Sequence, residues 1–267
     1  MRQSEIFKKY IKERKSTDHA ELSASGAERW LSCPKSVQLS KGIPSVTNEA
    51  AERGTNAHTL LQFVLENPQW KELLKSKAGE KFLQKLECDS HMWAGVMFAA
   101  KCVWNEMGRL RWNTSREPQI FTEIKLHLDG VGFGTSDIIL YQPFGILHVM
   151  DYKNGTKAVN PENNMQALYY AHAAADKFNW EFAQLKITII QPNAPHSRGQ
   201  IRSWEPTEQD LVRAGVRLKR GALMTKKKDA PLVKGEHCFF CVARPTCPAH
   251  VEYKTEKLLG RFRDADC

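Results

Sequence analysis

The chain has 267 residues, of which 42% are hydrophobic and 26% are charged, proportions that are ordinary for a folded, water-soluble protein. Its net charge of +9 and sequence pI of 9.2 are compatible with binding a phosphate backbone, although many basic proteins never contact nucleic acid. No apolar run approaches the ~20 residues of a membrane span, and the charged N-terminus lacks the apolar stretch of a secretory signal, so we expect a protein of the reducing cytoplasm.

The first part of the chain is predicted to be helical. A short helix begins at Ser23 or Ser25, either of which could cap it, and runs into Trp30 and Leu31. Pro34 turns the backbone away from helix directly after it. The other expected elements are a charged helix or tail over residues 1–20, a helix over Glu49–Glu66, and helical segments over about 70–112.

The second part of the chain alternates between strands and helices. Segments rich in β-branched and aromatic residues, separated by Gly or Pro turns, predict strands at 120–128, 134–142 and 146–154. They are followed by a helix at Glu162–Phe178, a buried strand at 185–192 and a helix at 206–225 capped by Thr207. This order predicts an α/β fold with a mixed central sheet. We expect residues 21–267 to form one domain with its core over about 50–195.

Four of the seven cysteines form a divided set. Cys33 stands alone, whereas Cys238, Cys241 and Cys247 follow the pattern Cys-x2-Cys-x5-Cys near the other end of the chain. In a reducing compartment this grouping favours metal binding over disulfides, and the metal is either zinc or an iron–sulfur cluster. Zinc is the commoner structural metal, but its sites usually pair two closely spaced knuckles, so the spacing leaves the metal open. The other three are Cys88 and Cys102, predicted to be packed thiols, and Cys267, which has no predicted role.

Two carboxylates and a lysine lie on neighbouring predicted strands. Asp151 and Lys153 are two residues apart, so in a strand they project from the same side. Asp137 lies on the preceding strand, where a hairpin could bring its carboxylate beside Asp151. Paired carboxylates repel unless they are protonated or bridged by a cation, and hard oxygen ligands favour Mg²⁺ or Mn²⁺. A surface ion pair between Asp151 and Lys153 is the simpler alternative for this tripeptide alone.

Further polar residues flank these strands. His58 lies on the helix before the sheet and is a usable metal ligand only if carboxylates converge on it. Gln166 and Tyr170 are four residues apart on the following helix, so they share one face and could contact a phosphate or a base. In isolation, Tyr170 would instead pack in the core. Glu123, on the first strand, either supports the acidic group or faces solvent.

The motifs in this order resemble the PD-(D/E)XK nuclease superfamily. They are SASGAERWLSCP, RGTNAHTLL, GTSDIIL, MDYKNG and QALYY, followed by the late cysteine pattern. The resemblance is to the RecB-type branch with an iron–sulfur cluster, which includes the CRISPR adaptation nucleases, the AddB nuclease domain and phage-encoded exonucleases. It covers roughly residues 21–250 and implies a restriction-endonuclease-like αβββαβ core.

The resemblance also implies residue roles. Divalent-metal ligands would be His58, Asp137, Asp151 and the backbone carbonyl of Tyr152; Lys153 would be the catalytic lysine, with Gln166 and Tyr170 matching a Gln-x3-Tyr signature. A 4Fe–4S cluster bound by Cys33, Cys238, Cys241 and Cys247 would staple the N- and C-terminal regions together. The family often has Glu four residues after the motif histidine, where this chain has Gln62, with Glu66 or Glu123 as substitutes.

By this resemblance we expect a metal-dependent deoxyribonuclease, an exonuclease acting on single- or double-stranded DNA ends without sequence specificity. A phage or prophage recombination enzyme, working in a bacterial or phage-infected cytosol with a single-strand annealing protein, is the leading hypothesis. The alternatives are a CRISPR spacer-processing nuclease and a DNA-binding module with a vestigial site. A zinc-stapled basic protein with an unrelated activity is a further alternative.

Overall fold

The computed structural model describes residues 3–15, 20–44, 49–113 and 116–251. The helices are α1 (Gln3–Lys15), α2 (Ala27–Ser32), α3 (Lys35–Ser40), α4 (Glu49–Glu66), α5 (Trp70–Leu74), α6 (Lys77–Lys85), α7 (Ser90–Asn113), α8 (Met165–Lys177) and α9 (Glu208–Thr225). The strands are β1 (Gln119–Leu128), β2 (Gly132–Tyr141), β3 (Ile146–Tyr152), β4 (Gln184–Ile190) and β5 (Ile201–Trp204), and a 3₁₀ helix covers Glu236–Phe240.

The five strands form one mixed sheet in the order β1-β2-β3-β4-β5. β1, β2 and β3 pair as an antiparallel meander, β3 and β4 are parallel, and β4 and β5 are antiparallel. The parallel pair needs a crossover, which α8 provides. The predicted α/β class, the mixed sheet and the order of three strands, helix and strand are therefore confirmed.

Helices cover both faces of the sheet. β3 is buried along its whole length, and its alternation sends Leu147 and Val149 into one core cluster and Ile146 and Met150 into the other. The first cluster includes residues of α2, α8 and α9, and the second includes residues of α1, α4 and α7. By the same alternation Asp151 lies on the α8 side of the sheet.

Several predicted boundaries move. α2 begins at Ala27 with Gly26 as its N-cap and no side-chain cap, so the prediction that Ser23 or Ser25 caps it was wrong; the Ser23 hydroxyl instead accepts the Gly26 N–H, 3.2 Å away. α8 begins at Met165, because the Asn164 side chain accepts the Ala167 N–H and caps the helix there. β5 was not predicted. Residues 3–15 of the expected N-terminal segment are helical, and 16–19 lie outside the described residues.

Candidate metal centre

Three carboxylates stand in a row across neighbouring strands. The β1–β2 register pairs Thr122 with Ile138 and Ile124 with Ser136, which places Glu123 opposite Asp137. The β2–β3 register pairs Ile138 with Met150, so Asp151 follows opposite Asp137 on the other side. Each strand pairing thus brings together two carboxylates that are 14 positions apart along the chain.

His58 reaches this row from α4. Its Nδ1 lies 3.3 Å from Asp137 Oδ1 and 3.5 Å from Glu123 Oε1, and its ring lies 5.4 Å from that of Tyr152. One ligand atom from each of His58, Glu123 and Asp137 falls within 4.8 Å of the others. An imidazole nitrogen and two carboxylate oxygens at this spacing could bind a divalent cation such as Mg²⁺ or Mn²⁺. Glu123 is therefore part of the cluster and is not turned away to solvent.

The charges of the cluster stabilise one another. Burial opposes the charged imidazole of His58, but Asp137 and Glu123 hold its pKa well above the ordinary value. Burial likewise opposes ionisation of Asp137, and the charges of His58 and Lys153 hold the pKa of Asp137 below its ordinary value. The pKa of Glu123 is raised by burial and by the charge of Asp137, against the opposing effect of His58. A proton on His58 thus occupies the position that a cation would take.

Asp151 and Lys153 form a second pair beside the cluster. Lys153 Nζ lies 3.0 Å from both oxygens of Asp151 and donates to Gln166 Oε1 at 3.2 Å. This confirms that Asp151 and Lys153 project together. It also makes the simple surface ion pair a poor description, because Asp151 is only 2% exposed. Burial, reinforced by Asp137, raises the pKa of Asp151 to about 6 in spite of Lys153.

The cluster and the Asp151–Lys153 pair are linked through the backbone. The Tyr152 N–H donates to Asp137 Oδ2 at 2.8 Å, so Asp137 is fixed between His58 and the end of β3. Tyr170 is nearly buried, hydrogen-bonds with Gln166 and has its pKa raised by burial. The Tyr170 ring lies so close to β2 that a Cβ added at Gly134 would be only 2.8 Å from it. Gly134 is therefore needed for this packing, which the sequence did not indicate.

Glu66 has a different role from Glu123. Its carboxylate accepts hydrogen bonds from Thr122 at 2.6 Å, Tyr10 at 2.8 Å and Gln62 at 2.9 Å. These contacts join α1 and β1 to α4. They also lower the pKa of Glu66 although its burial acts in the opposite direction. Glu123 therefore lies in the histidine–carboxylate cluster, whereas Glu66 joins α1 and β1 to α4.

The four cysteines of the divided set line one cavity between the two ends of the described chain. Cys33 is buried, its thiol accepts the Val233 N–H at 3.4 Å, and the three late cysteines are partly buried. Among the residues that the structure describes, no three sulfur atoms of this set approach within 4.8 Å of one another. In a tetrahedral zinc site the sulfurs would stand roughly 4 Å apart, as the ~2.3 Å Zn–S bond requires.

The structure also places the remaining cysteines and the basic side chains. Cys88 and Cys102 pack partly buried against the second core cluster, as predicted, and Cys267 lies outside the described residues. Most of the basic residues that cluster along the sequence are exposed, namely Lys8, Lys9, Lys12, Arg217, Lys219, Arg220, Lys226, Lys227 and Lys228, and the side chains of Arg14 and Lys15 lie outside the described residues. None of the helices in the described ranges is long and apolar enough to cross a membrane.

Fold and site together define an α/β protein with a histidine–carboxylate cluster that could hold a divalent cation. The chain belongs to the family described as "Protein of unknown function (DUF2800)", whose model matches residues 19–266. It is similar to the solved structure of SSO0001, with 16% identity, a TM-score of 0.38 and coverage of 94% of this chain and 97% of that one. It is also similar to a protein of Eubacterium rectale named "putative exonuclease", with 10% identity, a TM-score of 0.42 and coverage of 77% and 80%.

Proposed function

We propose that this protein is a divalent-metal-dependent deoxyribonuclease that removes nucleotides from DNA ends. The observation that carries the proposal is the convergence of His58, Glu123 and Asp137 within 4.8 Å, with the buried Asp151–Lys153 pair beside them. A bound Mg²⁺ or Mn²⁺ would activate water and neutralise charge on the scissile phosphate. Asp151 and the carbonyl of Tyr152, at the end of β3, complete the proposed ligand set.

The protein's own groups have distinct roles in this proposal. Lys153 keeps its proton, because Asp151 and Asp137 raise its pKa although burial acts in the opposite direction. Its ammonium group therefore presents a fixed positive charge to a phosphate oxygen as negative charge develops. Gln166 accepts a hydrogen bond from that ammonium and directs it, and Tyr170 steadies Gln166 from the next turn of α8.

The test is a digestion time course on end-labelled linear DNA, single- and double-stranded, with Mg²⁺ or Mn²⁺. We expect Lys153→Ala to lose at least about 100-fold in rate, as removal of a transition-state charge partner does. Lys101→Ala, on the exposed side of α7, is the matched control and should keep wild-type activity. A closed circular substrate should survive, because it has no ends. Equal rates for wild type and Lys153→Ala would reject the site, and tight DNA binding without cleavage in any divalent metal would support the vestigial-site alternative.

We further propose that Cys33, Cys238, Cys241 and Cys247 bind a 4Fe–4S cluster. The observation that supports a shared metal site is that all four thiols line one cavity, and the resemblance to the iron–sulfur branch favours a cluster over zinc there. The N–H of Val233 directed at the Cys33 sulfur is the kind of hydrogen bond that tunes a cluster thiolate. Anaerobically purified protein should be brown and contain iron and sulfide; a colourless protein with bound zinc would reject the cluster.

The expected recombination setting, the annealing-protein partner and the cytoplasmic location stay predictions. A gene for a single-strand annealing protein beside this one would support recombination. Genes for CRISPR integration proteins in that place would support spacer processing instead.

A further inference from the structure

Two large aromatic side chains point into solvent beside the cysteine cavity. Phe239 is 66% exposed and Phe240 is 72% exposed. Their exposure follows from the local backbone, because residues three apart eclipse one another in a 3₁₀ helix. Cys238 and Cys241 therefore face the cavity together, and the two phenylalanines between them are directed outward. Adjacent exposed Phe rings leave apolar area that a ligand could cover, with the free energy of burial as the gain.

Each ring of this aromatic pair has a cation over it. Arg244 Cζ lies 6.0 Å from the Phe239 centroid, and Lys157 Nζ lies 5.8 Å from the Phe240 centroid. The rings meet edge to face, with centroids 4.8 Å apart and an interplanar angle of 82°. Their faces therefore point in different directions, and each is flanked by positive charge. Aromatic faces beside cations suit a ligand with flat rings and an anionic backbone.

The aromatic pair also contacts the loop that follows Lys153. Lys157 follows Lys153 by four residues, so their Cα atoms are at most about 14 Å apart. The intervening loop is held firmly: Gln191 Nε2 donates to the carbonyls of Gly155 and Lys157, at 3.0 and 2.8 Å, and its Oε1 accepts the Val159 N–H at 3.0 Å. The contact between Lys157 and Phe240 thus joins the cysteine segment to the loop that leaves the site.

We propose that Phe239 and Phe240 form a stacking platform for the bases of single-stranded DNA at the mouth of the site. The proposal rests on the nuclease function above and names its substrate: a single strand, or a strand separated from its partner at a duplex end. Bases stack on the two rings without sequence discrimination, because every base has an aromatic face. Lys157 and Arg244 contact the neighbouring phosphates and make this binding salt-dependent.

The test measures binding separately from cleavage. The full chain, purified anaerobically, is titrated with a short fluorescent oligothymidylate and with the matching duplex, without added divalent metal. We expect Phe239→Ala and Phe240→Ala each to weaken oligothymidylate binding about fivefold or more. Phe240→Trp should bind within about twofold of wild type, because it keeps the aromatic face. Binding to the internal, paired region of the duplex should be unchanged.

Phe144 offers the matched control. It is 62% exposed and also has a cation over its ring, with Arg116 Cζ 4.8 Å away. It lies in the turn before Ile146, at the opposite end of β3 from Lys153, roughly 20 Å away by strand geometry. Phe144→Ala should therefore leave oligothymidylate binding unchanged.

Three outcomes would overturn the platform. The first is wild-type oligothymidylate affinity in the Phe239→Ala/Phe240→Ala double variant, and the second is an equal loss of affinity in Phe144→Ala. The third is a wild-type dimer that becomes a monomer in the double variant, measured by sedimentation, with DNA binding intact. The last would assign the aromatic pair to an interface between copies. Failure of the nuclease proposal would appear elsewhere, as the absence of metal-dependent cleavage by the wild-type protein, and would leave the binding result readable by itself.

Discussion

Glu123 takes a backbone conformation that few residues other than glycine adopt, with a φ of +44°. Phe121 and Ile124, on either side of it, pack in the same core cluster although they are three residues apart. The in-and-out alternation of β1 is therefore reversed at Glu123. Strain of this kind persists where the surroundings fix it, and here it directs a carboxylate at His58 and Asp137.

The first prediction separates the two candidate glutamates. Glu123→Gln should weaken Mn²⁺ binding at least about tenfold, since the amide keeps the shape and removes the charge. Glu66→Gln is the matched control: it disturbs the hydrogen bonds from Thr122 and Tyr10, so it should lower the melting temperature and leave Mn²⁺ affinity unchanged. Calorimetric titration of the two variants measures this. The reverse pattern would make Glu66 the metal ligand.

The second prediction concerns pH. A metal ligand must be an unprotonated imidazole, whereas Asp137 and Glu123 keep His58 protonated to well above its ordinary pKa. Mn²⁺ binding must therefore release a proton, and affinity should rise about tenfold per pH unit until the raised pKa of His58 is passed, then level off. Measurements above about pH 7 avoid the titration of Asp151, whose pKa is about 6. In His58→Gln the slope should vanish. An equal slope in both proteins would exclude His58 as a ligand.

The sequence predicted those helices and strands that a local residue pattern determines. The three meander strands, the α8 crossover, β4 and α9 all follow from residue periodicity and turn signals, and α4 was predicted with its observed bounds Glu49–Glu66. Thr207 caps α9 as predicted, in a capping box with Asp210. β5 was not predicted because its four residues, Ile201–Trp204, are too few to show the alternating pattern of a strand.

The features that the sequence left open or did not indicate depend on partners that are distant along the chain. The sequence left Glu123 either in the acidic group or facing solvent; strand register and a positive φ bring it into the cluster, and a single sequence displays neither. Gln191 holds the loop after Lys153 because it comes directly after β4, 36 residues beyond Gly155. The carboxylates Asp137 and Asp151 were predictable because a hairpin of adjacent strands is a local arrangement.

The third prediction tests how α5 and α6 pack. A Cβ at Gly79 would lie 2.4 Å from the Leu73 carbonyl oxygen and 2.5 Å from Leu74 Cα, both backbone atoms that cannot turn aside. Gly79→Ala should therefore lower the free energy of unfolding by about 1–3 kcal/mol. Gly108, within α7, has open space around it, so Gly108→Ala should raise that free energy by about 0.5–1 kcal/mol. Urea denaturation decides, and a stabilised Gly79→Ala protein would contradict the packing.

Across the whole molecule, the two ends of the domain are joined by protein contacts as well as by the cysteine set. Gln38 Nε2 donates to the carbonyls of Thr225 and Lys227 at 2.8 and 2.7 Å, and the Lys35 N–H donates to Pro231 at 3.0 Å. Trp30, packed against Gly221 of α9, is fully buried. A metal bound by the cysteines would thus add to an interface that direct hydrogen bonds already close, and its specific effect would fall on the segment that follows Pro231.

The last prediction separates the effect of the cysteines on the aromatic pair from their effect on the candidate metal centre. If the proposed cluster is present, Cys33→Ser should abolish its brown colour and lower the melting temperature, because cluster binding stabilises only the folded chain. Mn²⁺ affinity should stay within about twofold of wild type, since His58, Glu123 and Asp137 belong to α4, β1 and β2, away from the cysteine cavity. Oligothymidylate binding should fall as it does without Phe239 and Phe240, because the 3₁₀ helix that presents them then loses its proposed metal attachment. Cys102→Ser is the control and should change neither kind of binding. If Cys33→Ser also lost Mn²⁺ binding, the cysteines would support the candidate metal centre as well as the proposed DNA-binding surface.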